Sequence, residues 1–125
     1  MGKKKSTLVV MTKVRQLSKY IFDACEKSPK KYRFSLCNRL CNYSLDSIEL
    51  IYRANCEKDI NRRLILQDKA KSSIAMTDYF ANLACELNCI TIHQYEVISL
   101  AIAESLKLLV AWMNSTKKNL VVLTQ

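Results

Sequence analysis

With 125 residues, half of them apolar, the chain has the size of one domain and is too short for two of ordinary size. A single Gly and a single Pro argue against sheets and long irregular loops, which draw on both for turn geometry, and point to an all-α fold. The formal net charge of +9 is uneven: residues 1–71 hold 17 Lys/Arg against 7 Asp/Glu, and residues 72–113 hold 1 against 4. Such a field suits a polyanion, nucleic acid before an acidic membrane or protein; its bland counterpart is a solvated surface that keeps the chain dissolved.

The opening MGKKKSTLVVMTKVRQ has only Leu8–Met11 as an apolar block, too short for a signal core or a membrane span. Gly2 with Ser6 fits a myristoylation pattern, a short and common one. With no secretory signal, the six cysteines are expected to be free thiols in a reducing, cytoplasmic compartment. Helix one is expected over about 7–26, because Val10, Val14, Leu17, Ile21 and Ala24 recur at alternating steps of four and three.

Pro29 stops that helix and suits the first turn of the next, with Ser28 as its N-cap. Helix two is expected over about 29–54, with Phe34, Cys37, Cys41, Leu45, Ile48 and Tyr52 on its buried face. Helix three follows over about 58–88, through Ile60, Leu64, Ile74, Phe80, Leu83 and Leu87, weakest around Lys71–Ser73. Thr91 and Gln94 then form a capping box that opens helix four, expected over about 92–114 with Tyr95, Ile98, Ile102, Leu106, Leu109, Trp112 and Met113 inward. Four helices with short connections make an up-and-down antiparallel four-helix bundle in one domain, 1–125. The basic N-terminus and the 115–125 tail are expected to be loose, although LVVMT and LVVLT echo each other near the two termini and have the β-branched content to pair as strands.

Antiparallel topology gathers Cys25, Cys37, Cys41, Cys85, Cys89 and His93 at one end. Cys37 with Cys41, and Cys85 with Cys89, lie one helical turn apart, a spacing that offers thiolates to zinc; the same positions also read as small core hydrophobes, and no metal or cofactor is expected. No nucleophile accompanies the lone histidine and no glycine loop cradles a phosphate, so no enzyme is expected.

The cations are the remaining chemistry. Lys30, Lys31, Arg33, Arg39 and Arg53 fall on helix two, and Arg62 and Arg63 open helix three. Three of them crowd the first turns of helix two, where the dipole disfavours positive charge, which suggests an anionic partner that offsets the cost. Arg39, flanked by Leu36, Cys37, Leu40 and Cys41, calls for a partner, either an internal acid such as Glu86 or Glu104 or an external anion. Tyr32, Tyr43, Tyr79 and Leu100 fall partly off the seams and motivate self-association.

Three stretches, PKKYRFSLCNRLCNYSLDSIELIYRAN (29–55), RRLILQDKAKSSIAMTDYFANLACELNCIT (62–91) and QYEVISLAIAESLKLLVAWMNS (94–115), together resemble one family. It is the four-helix-bundle family of the accessory variability determinants of diversity-generating retroelements, with the proteins encoded in 23S rRNA intervening sequences. The matching motifs are P-x-x-x-R at Pro29, I-Y-R-A-N at Ile51, I-T-x-x-Q-Y-E at Ile90 and L-L-x-x-W at Leu108. The resemblance implies a non-catalytic, homo-pentameric adaptor that binds a reverse transcriptase and its template RNA and cDNA through basic surfaces. By position, Lys30, Lys31, Arg33, Arg39, Arg53, Arg62 and Arg63 would make those contacts. The alternative within the resemblance is a protein-interaction module of the intervening-sequence type with no reverse-transcriptase role. The cysteines and the LVVLT tail are outside the pattern.

Overall fold

A computed structural model describes the backbone of residues 2–124 and the side chains of residues 9–120. The elements are α1 (Gly2–Cys25), the single turn α2 (Lys30–Tyr32), a π-helical turn (Arg33–Cys37), α3 (Asn38–Cys56), α4 (Ile60–Glu86) and α5 (Ile92–Thr124). The single turn α2, the π-turn and α3 run on without a break, so four long arms make an all-α four-helix bundle. Each of α1 and α4 packs on both α3 and α5, which closes the arms into a ring of neighbours. The LVVMT and LVVLT segments are both helical along the backbone, and α5 runs to Thr124 instead of ending near 114, so the two segments do not pair as strands.

The α1 seam matches its reading: Val10, Val14, Leu17, Ile21 and Ala24 are all buried. On α5, Ile98, Ile102, Leu109, Trp112 and Met113 are buried, with Tyr95 and Leu106 packed at the margin. The middle arms are different. Phe34 is 83% exposed, Tyr52 62% and Leu45 42%, while Leu36, Cys37, Leu40, Cys41, Ser44, Ser47, Ile51 and Ala54 go inside. A chain of steps of four, 37 to 41 to 45, advances about 40° around a helix each time and walks off the buried face. The true seam turns back with steps of three onto serines. Ser44 and Ser47 stay satisfied by donating to Cys41 O (2.7 Å) and Ser44 O (2.6 Å) of their own helix. On α4 the buried set is Gln67, Ala70, Ser73, Ile74, Thr77, Ala81 and Ala84, and Leu87 lies outside. Gln67 Nε2 donates to Thr116 Oγ1 (3.0 Å), joining α4 to α5.

The connections position the ends. Ser28 does not cap α2: it is buried, donates to Cys25 O (2.6 Å) at the close of α1, and accepts from Cys37 Sγ (3.3 Å). Pro29 takes the N-cap position with extended geometry, ψ 141°, and contributes no side-chain bond. Asp59 caps α4 by accepting from the Arg62 amide (2.9 Å). The α4 C-terminus closes in a Schellman turn: Asn88, at φ 60°, supplies the left-handed residue that glycine usually does, with Cys89 N donating to Ala84 O and Asn88 N to Cys85 O. The Thr91 and Gln94 capping box forms in both directions, at 2.9 and 3.0 Å.

Candidate nucleic-acid interface

The seven cations do not form one patch. Lys30 and Arg53 stand at opposite ends of the second arm, roughly 35 Å apart at 1.5 Å per residue. Lys30, Lys31 and Arg33 are exposed beside the end of α1, and Arg53, Arg62 and Arg63 gather at the α3–α4 turn. Lys31 Nζ sits 5.0 Å from the Tyr32 ring centroid. Arg33 Nη2 reaches Ser28 O (3.4 Å) and Glu26 O (3.5 Å), carbonyls just beyond the negative end of the α1 dipole. For Arg33, then, the protein itself offsets part of the electrostatic cost that the sequence assigned to an external anion.

At the other end Arg53, Cys56, Glu57, Arg62, Ile65 and Leu66 line an open cavity of about 420 Å³. Arg63 is half-buried and spends two donors, Nε (2.9 Å) and Nη2 (2.6 Å), on Glu57 O, where it clamps the turn. Arg62 Nη1 lies 3.9 Å from Glu57 Oε1, a loose pair on an exposed side chain. The other ion pair among the described residues joins Lys13 to Glu104. Lys30, Lys31, Arg39 and Arg53 therefore face solvent with no carboxylate within pairing distance among the described residues.

Arg39 has neither of the acids expected for it. Its Nη2 donates to Tyr43 Oη (3.1 Å), and its guanidinium carbon lies 5.3 Å from the Phe80 ring centroid and 5.8 Å from that of Tyr43. Those two rings stack 5.2 Å apart at 15°, across the α3–α4 contact, and Tyr79 meets Phe80 edge-on at 6.1 Å and 85°. The Arg39–Tyr43 spacing of four is legible in a helix; Phe80 comes from another arm and carried no such signal.

The thiols do gather near one end, but partner differently from the one-turn pairs. Cys25 shares a hydrogen bond with Cys41, which pushes the Cys25 thiol well above the ordinary range, with burial adding; the same bond lowers Cys41. Burial pushes Cys89 up to about 11, Cys37 adds to that, and the Lys31 ammonium opposes it. Cys56 is exposed at the opposite end. Among the described residues no three His, Cys, Asp or Glu side chains converge as a metal site, so neither one-turn pair is part of a zinc-binding set there. Among the described residues, no helix is long and apolar enough to cross a membrane.

No curated protein matches the chain. Among solved structures it is similar to a protein of unknown function from the S23 ribosomal protein family of Bacteroides thetaiotaomicron VPI-5482, with a TM-score of 0.79 and 19% identity over 87% of this chain and 98% of that one. At that identity the likeness concerns the fold. The family model described as bAvd-like matches residues 8–116, which takes in α2, the π-turn, α3 and α4 whole and most of α1 and α5. The chain belongs to the bAvd-like family.

Proposed function

We propose that this protein is a non-catalytic accessory subunit of a diversity-generating retroelement, which holds a reverse transcriptase and its template RNA and cDNA during mutagenic copying in the cytoplasm. The observation that carries the reading is the set of cations left without acidic partners, Lys30, Lys31, Arg39 and Arg53, on a bAvd-like bundle with net charge +9. Phosphate contacts of this kind neutralise backbone charge without reading bases. The working form is a homo-oligomer, a pentamer by the family resemblance, and the exposed Tyr52, Ile65 and Leu100 supply apolar surface for subunit contacts.

Four phosphate contacts on a single strand give a log–log salt slope of about −3, so RNA affinity should fall roughly fiftyfold between about 50 and 200 mM salt. Changing Lys30, Lys31 and Arg53 to Glu should abolish both RNA binding and co-purification with the neighbouring reverse transcriptase while leaving the helical content unchanged. Salt-independent binding, or no binding at low salt, sinks the reading. The exposed apolar side chains favour one second reading, a protein-interaction module without a reverse-transcriptase role; the absence of a reverse-transcriptase gene beside this one would select it.

A further inference from the structure

The accessory reading leaves open whether paired or unpaired nucleic acid is held, and one cluster outside the two basic ends bears on that question. Arg39 lies between those ends, fixed against the Tyr43 and Phe80 rings by two aromatic contacts and a hydrogen bond to Tyr43 Oη. Tyr43 and Phe80 are half-buried and rigidly stacked, and Tyr43 O is itself tied to Ser73 Oγ across the arms (2.7 Å). Tyr79, next in the ladder, is held edge-on to Phe80 yet is 68% exposed. A tyrosine anchored at one edge with an open face is a stacking surface whose ordering cost has already been met by its neighbour.

We propose that Tyr79 and Arg39 form a stacking platform for an unpaired nucleotide: a base lies on the exposed Tyr79 face while the remaining Arg39 donors hold the adjacent phosphate. The proposal rests on the accessory reading above and sharpens it to single-stranded nucleic acid. Charge complementarity selects the occupant. Arg39 has no carboxylate partner among the described residues, so the cluster presents aromatic surface and uncompensated positive charge together, which a phosphodiester strand matches and an apolar protein surface does not. The surface discriminates by pairing state because the Tyr79 ring is exposed: a base stacked inside a duplex offers no free face to that ring, whereas an unpaired base does.

The test uses the full chain and a fluorescent reporter. Trp112 is the only native tryptophan and is 3% exposed, so it contributes a near-constant background, and Tyr79→Trp places a reporter on the platform. Titration with a uridine homopolymer at low salt should quench Tyr79→Trp, while a duplex of equal length should bind through the basic ends without quenching. Tyr79→Ala should weaken single-strand affinity by about tenfold with little effect on the duplex, and Tyr79→Phe should restore it, since stacking needs the ring and not the hydroxyl. RNA binding that persists unchanged in Tyr79→Ala overturns the platform and spares the accessory reading; no RNA binding by the wild-type chain overturns both. A fall in solution mass on Tyr79→Ala assigns these rings to a subunit contact and also overturns the platform.

Discussion

The two pairs of arms solve the problem of burial in opposite ways. On α1 and α5 the inward residues are large and aliphatic or aromatic, Val10, Val14, Leu17 and Ile21 against Ile98, Ile102, Leu109 and Trp112. On α3 and α4 the inward residues are mostly small or hydroxylated, Ser44, Ser47, Ala54, Ala70, Ser73, Thr77, Ala81 and Ala84. Small residues let two helix backbones approach closely, so contact comes from many short-range dispersion contacts along the backbones instead of from bulky side chains. Leu40, Ile51 and Ile74 go inside with them, while five other large apolar side chains of the same arms, Leu45, Tyr52, Ile65, Met76 and Tyr79, are on the outside. The pair that packs closest on itself is the pair with the most surface to offer others.

Three substitutions probe that contrast. The largest effect is expected for Leu17→Ala, which empties a fully packed site on the aliphatic side and should cost about 2–5 kcal/mol in denaturant midpoint at fixed protein concentration. A cost below about 1 kcal/mol would mean that the α1 side is not the bulky half of the core. Ala81→Leu is the complementary change: a side chain fully buried on the small-residue side gains bulk where there is no room, and should lose about 1–3 kcal/mol by forcing α4 off its neighbours. If Ala81→Leu is neutral or stabilising, the arms are not closely apposed. The smallest effect belongs to Ser44→Ala, whose hydroxyl serves only its own helix; its unfolding midpoint should move by less than about 1 kcal/mol, and a loss as large as that of Leu17→Ala would erase the distinction.

The same contrast explains what could be read from the residues alone. Seams of Val, Leu and Ile announce their period, so α1 and α5 were legible down to single positions such as Leu17 and Ile98. The α4 seam of Gln, Ala, Ser and Thr around Ile74 carries little hydropathy signal. On the second arm Leu40, Cys41 and Ile51 alternate with Ser44, Ser47 and Ala54, so the competing row through Phe34, Leu45 and Tyr52, which packing leaves outside, reads as well as the true seam. Local hydrogen-bond logic fared unevenly. The Thr91–Gln94 box formed as read, whereas Ser28 donates back to Cys25 O of the preceding helix and accepts from the Cys37 thiol instead of an α2 amide. Among the cations, charge alone found exposed side chains, but separating Lys30 from Arg53, recognising Arg63 as a clamp, and giving Arg39 an aromatic partner each required knowing which arms touch.

The π-turn at Arg33–Cys37 sets how the basic first turn of the second arm is aimed relative to the α3 seam. A π-turn holds one residue more than the α-helix around it, so the helix axis continues while the angular phase of everything before the turn is offset from everything after it. The turn is itself part of the core, since Leu36 and Cys37 are buried and Cys37 Sγ donates to the buried Ser28 Oγ. Removing the extra residue would rotate Lys30, Lys31 and Arg33 by about 100° relative to the α3 seam, Leu40 through Ala54, and would break that bond. The direction in which this end of the molecule presents its charge is thus set by the same packing of Leu36, Cys37 and Ser28 that anchors the second arm to α1.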